Sequence, residues 1–439
     1  MTFLETIKAS GVVGAGGAGF PTHVKLNAKA DILIINAIEC EPLLETDKYL
    51  IRNFPEDLVK GTEKIGSEIS AKRKVIALKS KNKKEIAKVR EAIQNLNLDI
   101  EVKEVGNFYP AGDEQMLVRE VAGVTILPTQ IPLSKGIVVT NVATVLDVMS
   151  EMPVTHRVIT VTGEVNSPTL IKVPVGTSIK ECLELAGGPK IHGFKVILGG
   201  PMMGKPCNEE DISTTYVTKT LGGIIVLPED HAIINRHNLS IKHILSRAAS
   251  ACIQCRMCTD LCPRYLNGHP LYPHLVMRAA AFSDTKGESC KSAMLCCECG
   301  ICEMYACPMG LSPKTINQYV KTEFLKENVR WENKEGLEYE VSDMREYRKV
   351  PTERLIRRLD LSKYVKHSFD DVIEYEPSRA IISLKQHIGA PATPIVDEGE
   401  YVVKGQLIAS IGESLGANVH SSIDGLVSVK EGYIIVEKR

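Results

Sequence analysis

Along the first 150 residues the apolar positions keep two different periods. Short runs at 31–37 (DILIINA), 74–80 (KVIALKS), 99–105 (DIEVKEV) and 136–141 (GIVVTN) are dense in isoleucine and valine and read as strands. Between them the period lengthens to that of a helix, most clearly at 83–96, where the charges fall on an outer face. Strands alternating with helices predict a parallel α/β sheet for residues 1–150.

Beyond residue 150 the pattern shifts. A strand at 157–163 (RVITVTG), a Ser-Pro turn, a strand at 170–174, a helix near 178–186 and a strand at 195–198 predict a small β-grasp unit over 151–210. Its turns come from Gly187, Gly188, Pro189 and from Gly199, Gly200, Pro201. Residues 240–330 are mostly helical and rich in cysteine, closing with the amphipathic stretch 313–327. A strongly charged connecting arm follows at 331–375, with the chain's single tryptophan, Trp331. From 376 to 439 short β runs punctuated by glycine predict a small β-sandwich or barrel. The expected fold class is therefore α/β and multidomain.

Size and charge narrow the function. A chain of 439 residues exceeds a single core. Lys plus Arg number 53 against 54 Asp plus Glu, which argues against nucleic acid or an anionic membrane as the main partner. The apolar stretches 137–140 and 221–228 fall far short of the about 20 residues that span a bilayer, so no transmembrane segment is predicted. Residues 1–11 lack the basic and long apolar regions of a secretory signal, and the expected location is cytoplasmic.

Thirteen cysteines in such a compartment point to metal or redox chemistry rather than disulfides, and ten of them lie between Cys252 and Cys307. The run Cys252, Cys255, Cys258, Cys262, followed by Pro263, has the C-x2-C-x2-C-x3-C-P spacing of a bacterial 4Fe-4S ferredoxin. A second run, Cys296, Cys299, Cys302, Cys307, followed by Pro308, carries one extra residue before its last cysteine. In such pairs the fourth cysteine serves the other cluster. Cys252, Cys255, Cys258 and Cys307 are thus assigned to one cluster, and Cys296, Cys299, Cys302 and Cys262 to the other. Paired C-x-x-C motifs also hold zinc, but two runs each closed by proline favour clusters. Cys297 reads as a spare buried thiol, and Cys40, Cys182, Cys207 and Cys290 as structural or incidental.

Gly14, Gly16 and Gly19 satisfy G-x-G-x-x-G, yet a helical pattern precedes them and a strand follows, the reverse of a Rossmann fingerprint. A glycine loop in another fold still lets backbone approach a phosphate. The segments GAGGAGFPTHVKL (14–26), NAIECEP (36–42), YPAGDE (109–114) and NVAT (141–144) resemble the flavin-binding subunit of respiratory complex I. The chain is more similar still to the RnfC family and the PduS-type cobalamin reductases. Those families share a complex I flavin-subunit-like α/β domain, an SLBB β-grasp domain, a two-cluster ferredoxin-like domain and a barrel-sandwich hybrid. RnfC subunits place the barrel-sandwich first, whereas here it comes last, as in the PduS type and in proline-reductase-associated electron-transfer proteins.

The resemblance implies FMN and NADH. By motif, Gly14, Gly16, Gly17 and Gly19 would line the FMN phosphate and ribityl chain, Lys25 would neutralise the phosphate, and Asn36 and Asn141 would bond the flavin beside Gly112. Glu39, Glu41, Asp113 and Glu114 would border the dinucleotide, with Phe20 stacked on its adenine. Where the complex I pattern reads Asn-Ala-Asp-Glu-Ser-Glu-Pro, this chain has Ile38 and Cys40 for the Asp and Ser. The terminal module lacks the lysine of a biotinyl or lipoyl carrier in its hairpin 412–420, so it reads as a docking or structural unit, with His387 and His420 as surface or turn residues.

The function implied is electron transfer from NADH through FMN and two 4Fe-4S clusters to a corrinoid or an acceptor protein, with docking to a larger complex, a bacterial microcompartment or a membrane periphery left open. The alternatives are a donor to a reductase such as proline reductase, and a non-flavin ferredoxin-like adaptor of an Rnf-type complex.

Overall fold

The computed structural model describes residues 1–333, 339–365 and 369–439. Its first sheet contains β1 (Ile32–Ala37), β2 (Arg73–Lys79), β3 (Glu101–Val105) and, beyond a two-residue strand β4 (Phe108–Tyr109), β5 (Ile137–Asn141). The order is β3-β2-β1-β5 and every pairing is parallel. Both faces are covered, which explains why these strands read as nearly unbroken apolar runs. Leu33, Ile35, Ile76 and Leu78 pack with the helices Pro55–Glu68, Lys83–Leu96 and Val142–Met149. Ile34, Val75, Ala77 and Val139 pack instead with Met116, Leu117 and Val118 of Glu114–Ala122.

The β-grasp unit contains β6 (His156–Gly163), β7 (Thr169–Pro174), β8 (Phe194–Leu198), β9 (Lys205–Asn208) and β10 (Gly223–Pro228). The helix Ile179–Leu185 opens with a capping box of Ser178 and Glu181. β10 lies parallel to β6 and antiparallel to β8, so the sheet draws an inner strand from beyond residue 210, where sequence placed its end. An apolar run of six, buried on both sides, carries no mark of which sheet it joins.

The cysteine-rich region is built on the helices Ile241–Ala251, Pro273–Ala281 and Pro313–Lys326, packed through Ile244, Val276, Ile316 and Val320. The arm that follows is more than a linker. Its strand β11 (Val350–Pro351) pairs with β4 of the first domain, and β12 (Val372–Glu374) adds a parallel edge to β7. The β-grasp sheet therefore runs β12-β7-β6-β10-β8-β9. Residues 334–338 and 366–368 of the expected arm lie outside the described residues.

The last module forms two small sheets around Ile382, Val402, Ile408, Val419, Val427 and Ile434. Its strands are β13 (Arg379–Ser383), β14 (Thr393–Pro394), β15 (Tyr401–Val402), β16 (Leu407–Ser410), β17 (Val419–His420), β18 (Gly425–Lys430) and β19 (Tyr433–Glu437). The orders are β13-β19-β18-β15 and β14-β16-β17. His387 and His420, expected at the surface or in turns, are both buried. The module packs on the first domain, where Lys8 Nζ donates to the Gly412 carbonyl at 3.0 Å and Ile388 N–H to that of Gly19 at 3.1 Å. His420 is bonded to the Ala9 backbone of that domain, and the His387 ring lies 2.9 Å from the Ala390 carbonyl of its own module. Burial lowers the pKa of each, to about 3 for His420. Among the described residues no helix is long and apolar enough to cross a membrane.

Candidate active site: an interdomain cleft beside two cysteine cavities

The glycine loop leaves the helix Phe3–Ala9 and returns on itself, with Gly14 N–H donating to the Phe20 carbonyl at 2.9 Å and Val13 bridging Pro21. Ala15 N–H donates to Thr144 Oγ1 at 3.0 Å, which ties the loop to the helix Val142–Met149. Asn141 caps that helix by accepting from Ala143 N–H, and its Nδ2 donates to Asp47 Oδ2, both at 2.9 Å. A Cβ at Gly16 would stand 3.0 Å from Asn141 Nδ2, whereas one at Gly17 would meet nothing within 4 Å. The loop is thus close-packed on one side and open on the other.

Below it a cleft encloses about 740 Å³ of empty space, part of it open solvent. Its wall includes Gly16, Asn36, Glu39, Cys40, Glu41, Asp47, Gly112 and Asn141. The far wall belongs to the β-grasp unit, through Arg157, Val158, Lys219, Leu221 and Gly222. No motif marked those five. Arg157 is the one with a sequence signal, a charge at the head of an apolar strand.

Other expected residues stand outside the cleft. Lys25 Nζ is 2.6 Å from Glu114 Oε1. Asp113 caps Glu114–Ala122 with one oxygen, and with the other meets Arg264 Nη2 of the cysteine-rich region at 2.8 Å. Gly14 closes the loop, Gly17 faces open space and Phe20 is exposed. Gly19, at φ +75°, lies under the terminal module, where a Cβ would fall 3.0 Å from the Gln386 carbonyl oxygen.

Of the two departures from the complex I pattern, Ile38 has 0% exposure and packs in the core with Ile34, Met116 and Leu117, away from the cleft. Cys40 lines the cleft, and burial pushes its thiol up to about 12, so it is held as a neutral thiol. Burial also raises the acids. Glu41 is pushed up to about 7, against the opposing bonds from Met202 N–H and the Tyr109 hydroxyl. Glu39 and Asp47 are raised as well, each mainly by burial, with Asp47 adding repulsion at Glu39.

The cysteines gather around two cavities. Cys252, Cys255, Cys258 and Cys307 line one, with His274, Met277 and Leu311. Cys262, Cys296, Cys299 and Cys302 line the other, together with Cys297, Lys314 and Asn317. Each run therefore lends its last cysteine to the opposite cavity. Gln254 and Arg256 in one run, and Glu298 and Gly300 in the other, have φ between +54° and +81°, so the same left-handed turns recur at matching positions. The extra residue of the second run lies in a π-helical turn, Ile301–Ala306, a form that takes in one residue more than an α-turn. Glu303 within it is buried and bonded by Thr315 N–H at 3.0 Å.

Tyr109 joins the cleft to the second cavity. Its buried hydroxyl donates to the Cys299 carbonyl at 2.8 Å and lies 3.3 Å from Glu41 Oε1 on the cleft wall. The first cavity lies toward the surface instead, with Cys255, Ile253, Met257 and Met309 exposed around it. The second cavity is thus the inner of the two and the first the outer.

The residues present fit a nucleotide and two clusters. Arg157 lines the cleft with its Nη2 buried and unbonded, and Asn317 faces the inner cavity with both amide atoms unbonded. A buried polar atom without a partner calls for one, and a group bound in the cleft or the inner cavity would supply it. N–H groups already approach the thiols, as Leu311 N to Cys307 Sγ and Glu298 N to Cys296 Sγ, both at 3.4 Å.

Comparison with known proteins agrees domain by domain. Residues 7–150 match the Nuo51 FMN-binding domain, 158–206 the SLBB domain, 251–312 the 4Fe-4S dicluster domain and 363–437 the RnfC barrel sandwich hybrid domain. The chain is 42% identical over 433 residues to cobalamin reductase PduS of Citrobacter freundii, covering 97% of this chain and 94% of that one. The same protein of Salmonella typhimurium is also 42% identical, at 97% and 93% coverage. A component of the proton-translocating ferredoxin:NAD(+) oxidoreductase complex of Clostridium ljungdahlii is 30% identical, over 60% of this chain and 56% of its own length. Among solved structures, an NAD+-reducing NiFe-hydrogenase in its H2-reduced state shares the fold at a TM-score of 0.51 and 20% identity, covering 75% of this chain and 63% of that one.

Proposed function

The chain belongs to the family of the PduS cobalamin reductases, and from that premise we propose that it oxidises NADH at FMN and delivers the electrons through the inner and then the outer cluster to a corrinoid. It is an electron-transfer flavo-iron-sulfur protein with FMN and two 4Fe-4S clusters. FMN supplies the exchange between a two-electron hydride donor and one-electron centres.

The chain's own residues supply position. In this reading Cys262, Cys296, Cys299 and Cys302 hold the inner cluster, and Cys252, Cys255, Cys258 and Cys307 the outer. Gly16 gives close backbone approach at the glycine loop. Asn36 and Asn141 are held in place by Gly112 and Asp47, at 2.9 Å in both cases, and present fixed polar edges to the flavin. Glu39 and Glu41 border the dinucleotide.

The observation that carries the proposal is Tyr109. One buried hydroxyl touches both the Glu41 side of the cleft and the Cys299 carbonyl, so the cleft and the inner cavity are neighbours. Ile38, the departure from the complex I pattern that would favour an adaptor without flavin, has its side chain in the core and away from the cleft. The exposed apolar rim of the outer cavity is where the acceptor docks, with association to a microcompartment or membrane periphery through the same face.

Anaerobically purified full-length protein tests this. Acid release should yield FMN, and NADH should drive reduction of a cob(III)alamin or cob(II)alamin, followed by its visible spectrum. Protein without flavin, or with flavin that NADH does not bleach, would sink the proposal. Reduction of an acceptor protein but not of free corrinoid would favour the reductase-donor alternative.

A further inference from the structure

Two buried cations stand on the far wall of the cleft, and neither comes from the flavin domain. Arg157, at the head of β6, spends its Nε on the Lys219 carbonyl and its Nη1 on Asp147, at 2.9 Å from Oδ1. Its Nη2 is buried and bonded to nothing, although the residue is only 7% exposed. Lys219 is 2% exposed, and its Nζ donates to the Gly11 and Asn418 carbonyls at 2.8 and 2.7 Å, which leaves one of its three N–H groups uncommitted. Both residues line the cleft. An open guanidinium nitrogen beside a buried ammonium lacks one thing, an anion with several acceptor oxygens.

The arrangement of the cleft says which end of a ligand goes there. Glu41 abuts the inner cavity through Tyr109, so a redox-active ring has reason to sit at that end. Arg157 and Lys219 stand where Asp147 of the helix Val142–Met149 and Gly11 approach. Lys25, the cation that motif resemblance assigns to the phosphate, is held by Glu114 at 2.6 Å outside the cleft.

We propose that Arg157 and Lys219, contributed by the β-grasp unit, form the phosphate subsite of the nucleotide cleft in place of Lys25. The subsite rests on the reading of the cleft as a flavin site. It takes a phosphate oxygen on Arg157 Nη2 and a second near Lys219 Nζ, and it makes nucleotide binding depend on the docking of three domains. Burial and the neighbouring Arg157 lower the Lys219 pKa to about 7, and a bound phosphate restores its charge. The phosphate has two possible sources, the monoester of FMN and the pyrophosphate of NADH.

The test is the ratio of affinities of FMN and riboflavin, which differ only in the phosphate, on full-length cluster-loaded protein stripped of flavin, read by quenching of flavin fluorescence. Arg157→Gln should cut the preference for FMN at least about tenfold, or about 1.4 kcal/mol, and Lys219→Met should cut it too. Lys25→Gln should leave it unchanged. Since Arg157→Gln strands Asp147 in the interior, Arg157→Gln with Asp147→Asn removes both charges together and serves if the single variant does not fold.

If the FMN preference holds but ADP-ribose binding weakens about tenfold, the subsite stands and belongs to the dinucleotide. If Lys25→Gln abolishes the preference while Arg157→Gln keeps it, or if neither ligand responds to Arg157, the proposal is overturned. Wild-type protein that binds no flavin at all fails the functional reading instead, which keeps the two failures distinct.

Discussion

The inner and outer cavities are built from nearly the same cysteine spacing and the same left-handed turns, and yet differ in burial and surroundings. The outer one keeps the simple spacing from Cys252 to Cys258 and lies at the surface, with Cys255 exposed. The inner one is ringed by buried cysteines, shares a core with Tyr109, Met202 and Ile301, and sits beside a π-turn. What differs is what surrounds each cavity. In the proposed electron path the inner cavity, embedded among domains, is the entry and the outer, facing solvent, is the exit.

Removing a ligand from each should separate them most sharply. Cys299→Ala should abolish the inner cluster's EPR signal and also lower folded yield, because Cys299 belongs to a core that joins several elements. Cys255→Ala should abolish the outer signal with yield unchanged. Equal yields from both variants would remove the distinction between a buried and a superficial cluster.

A smaller effect is expected at Tyr109. Tyr109→Phe leaves the buried Cys299 carbonyl without its hydroxyl donor, while Glu41 keeps only Met202 N–H, at a cost of about 1–3 kcal/mol, and should slow reduction of the inner cluster by NADH while flavin bleaching keeps its rate. Stopped-flow absorbance reads both steps. Slowed bleaching would place Tyr109 in nucleotide binding instead.

The pH dependence of the flavin-free protein should carry Glu41's signature. With its folded pKa raised to about 7, Glu41 keeps a proton that the unfolded chain has already released above about pH 4.5. Its contribution to stability is therefore present in acid and lost as pH rises through that window, levelling off above about pH 7. Glu41→Gln should flatten this slope in thermal melts, and a slope that survives the substitution would assign it to Glu39 and Asp47. The smallest effect belongs to Cys297, which lines the inner cavity as a fifth thiol. Cys297→Ala should leave both EPR signals at full intensity.

Much of this was legible in sequence. The spacing of the eight cysteines named the residues that line the two cavities, and the four strands of the first sheet follow from apolar runs that both faces bury. Ile38, which the motif set beside the flavin, packs with Ile34 in the core, and Asn36 between them lines the cleft, so strand alternation alone does not separate core from cleft. Arg157 and Lys219 escaped because no local pattern shows that a β-grasp strand and a loop will close over a distant glycine loop. Lys25 and Glu114 escaped for the converse reason, since a motif names residue types but not the partner each has taken. The second run's extra residue was visible, whereas its accommodation as a π-turn depends on the bonds that Thr315 gives Glu303 from the next helix.

The central claim is that electrons reach the outer cluster only through the inner one. It is tested most directly by following NADH-driven reduction of the outer cluster, by freeze-quench EPR, in FMN-loaded Cys299→Ala protein. The account predicts that the flavin bleaches while the outer-cluster signal stays absent on the timescale at which wild type develops it. An outer cluster reduced at the wild-type rate without the inner one would contradict it.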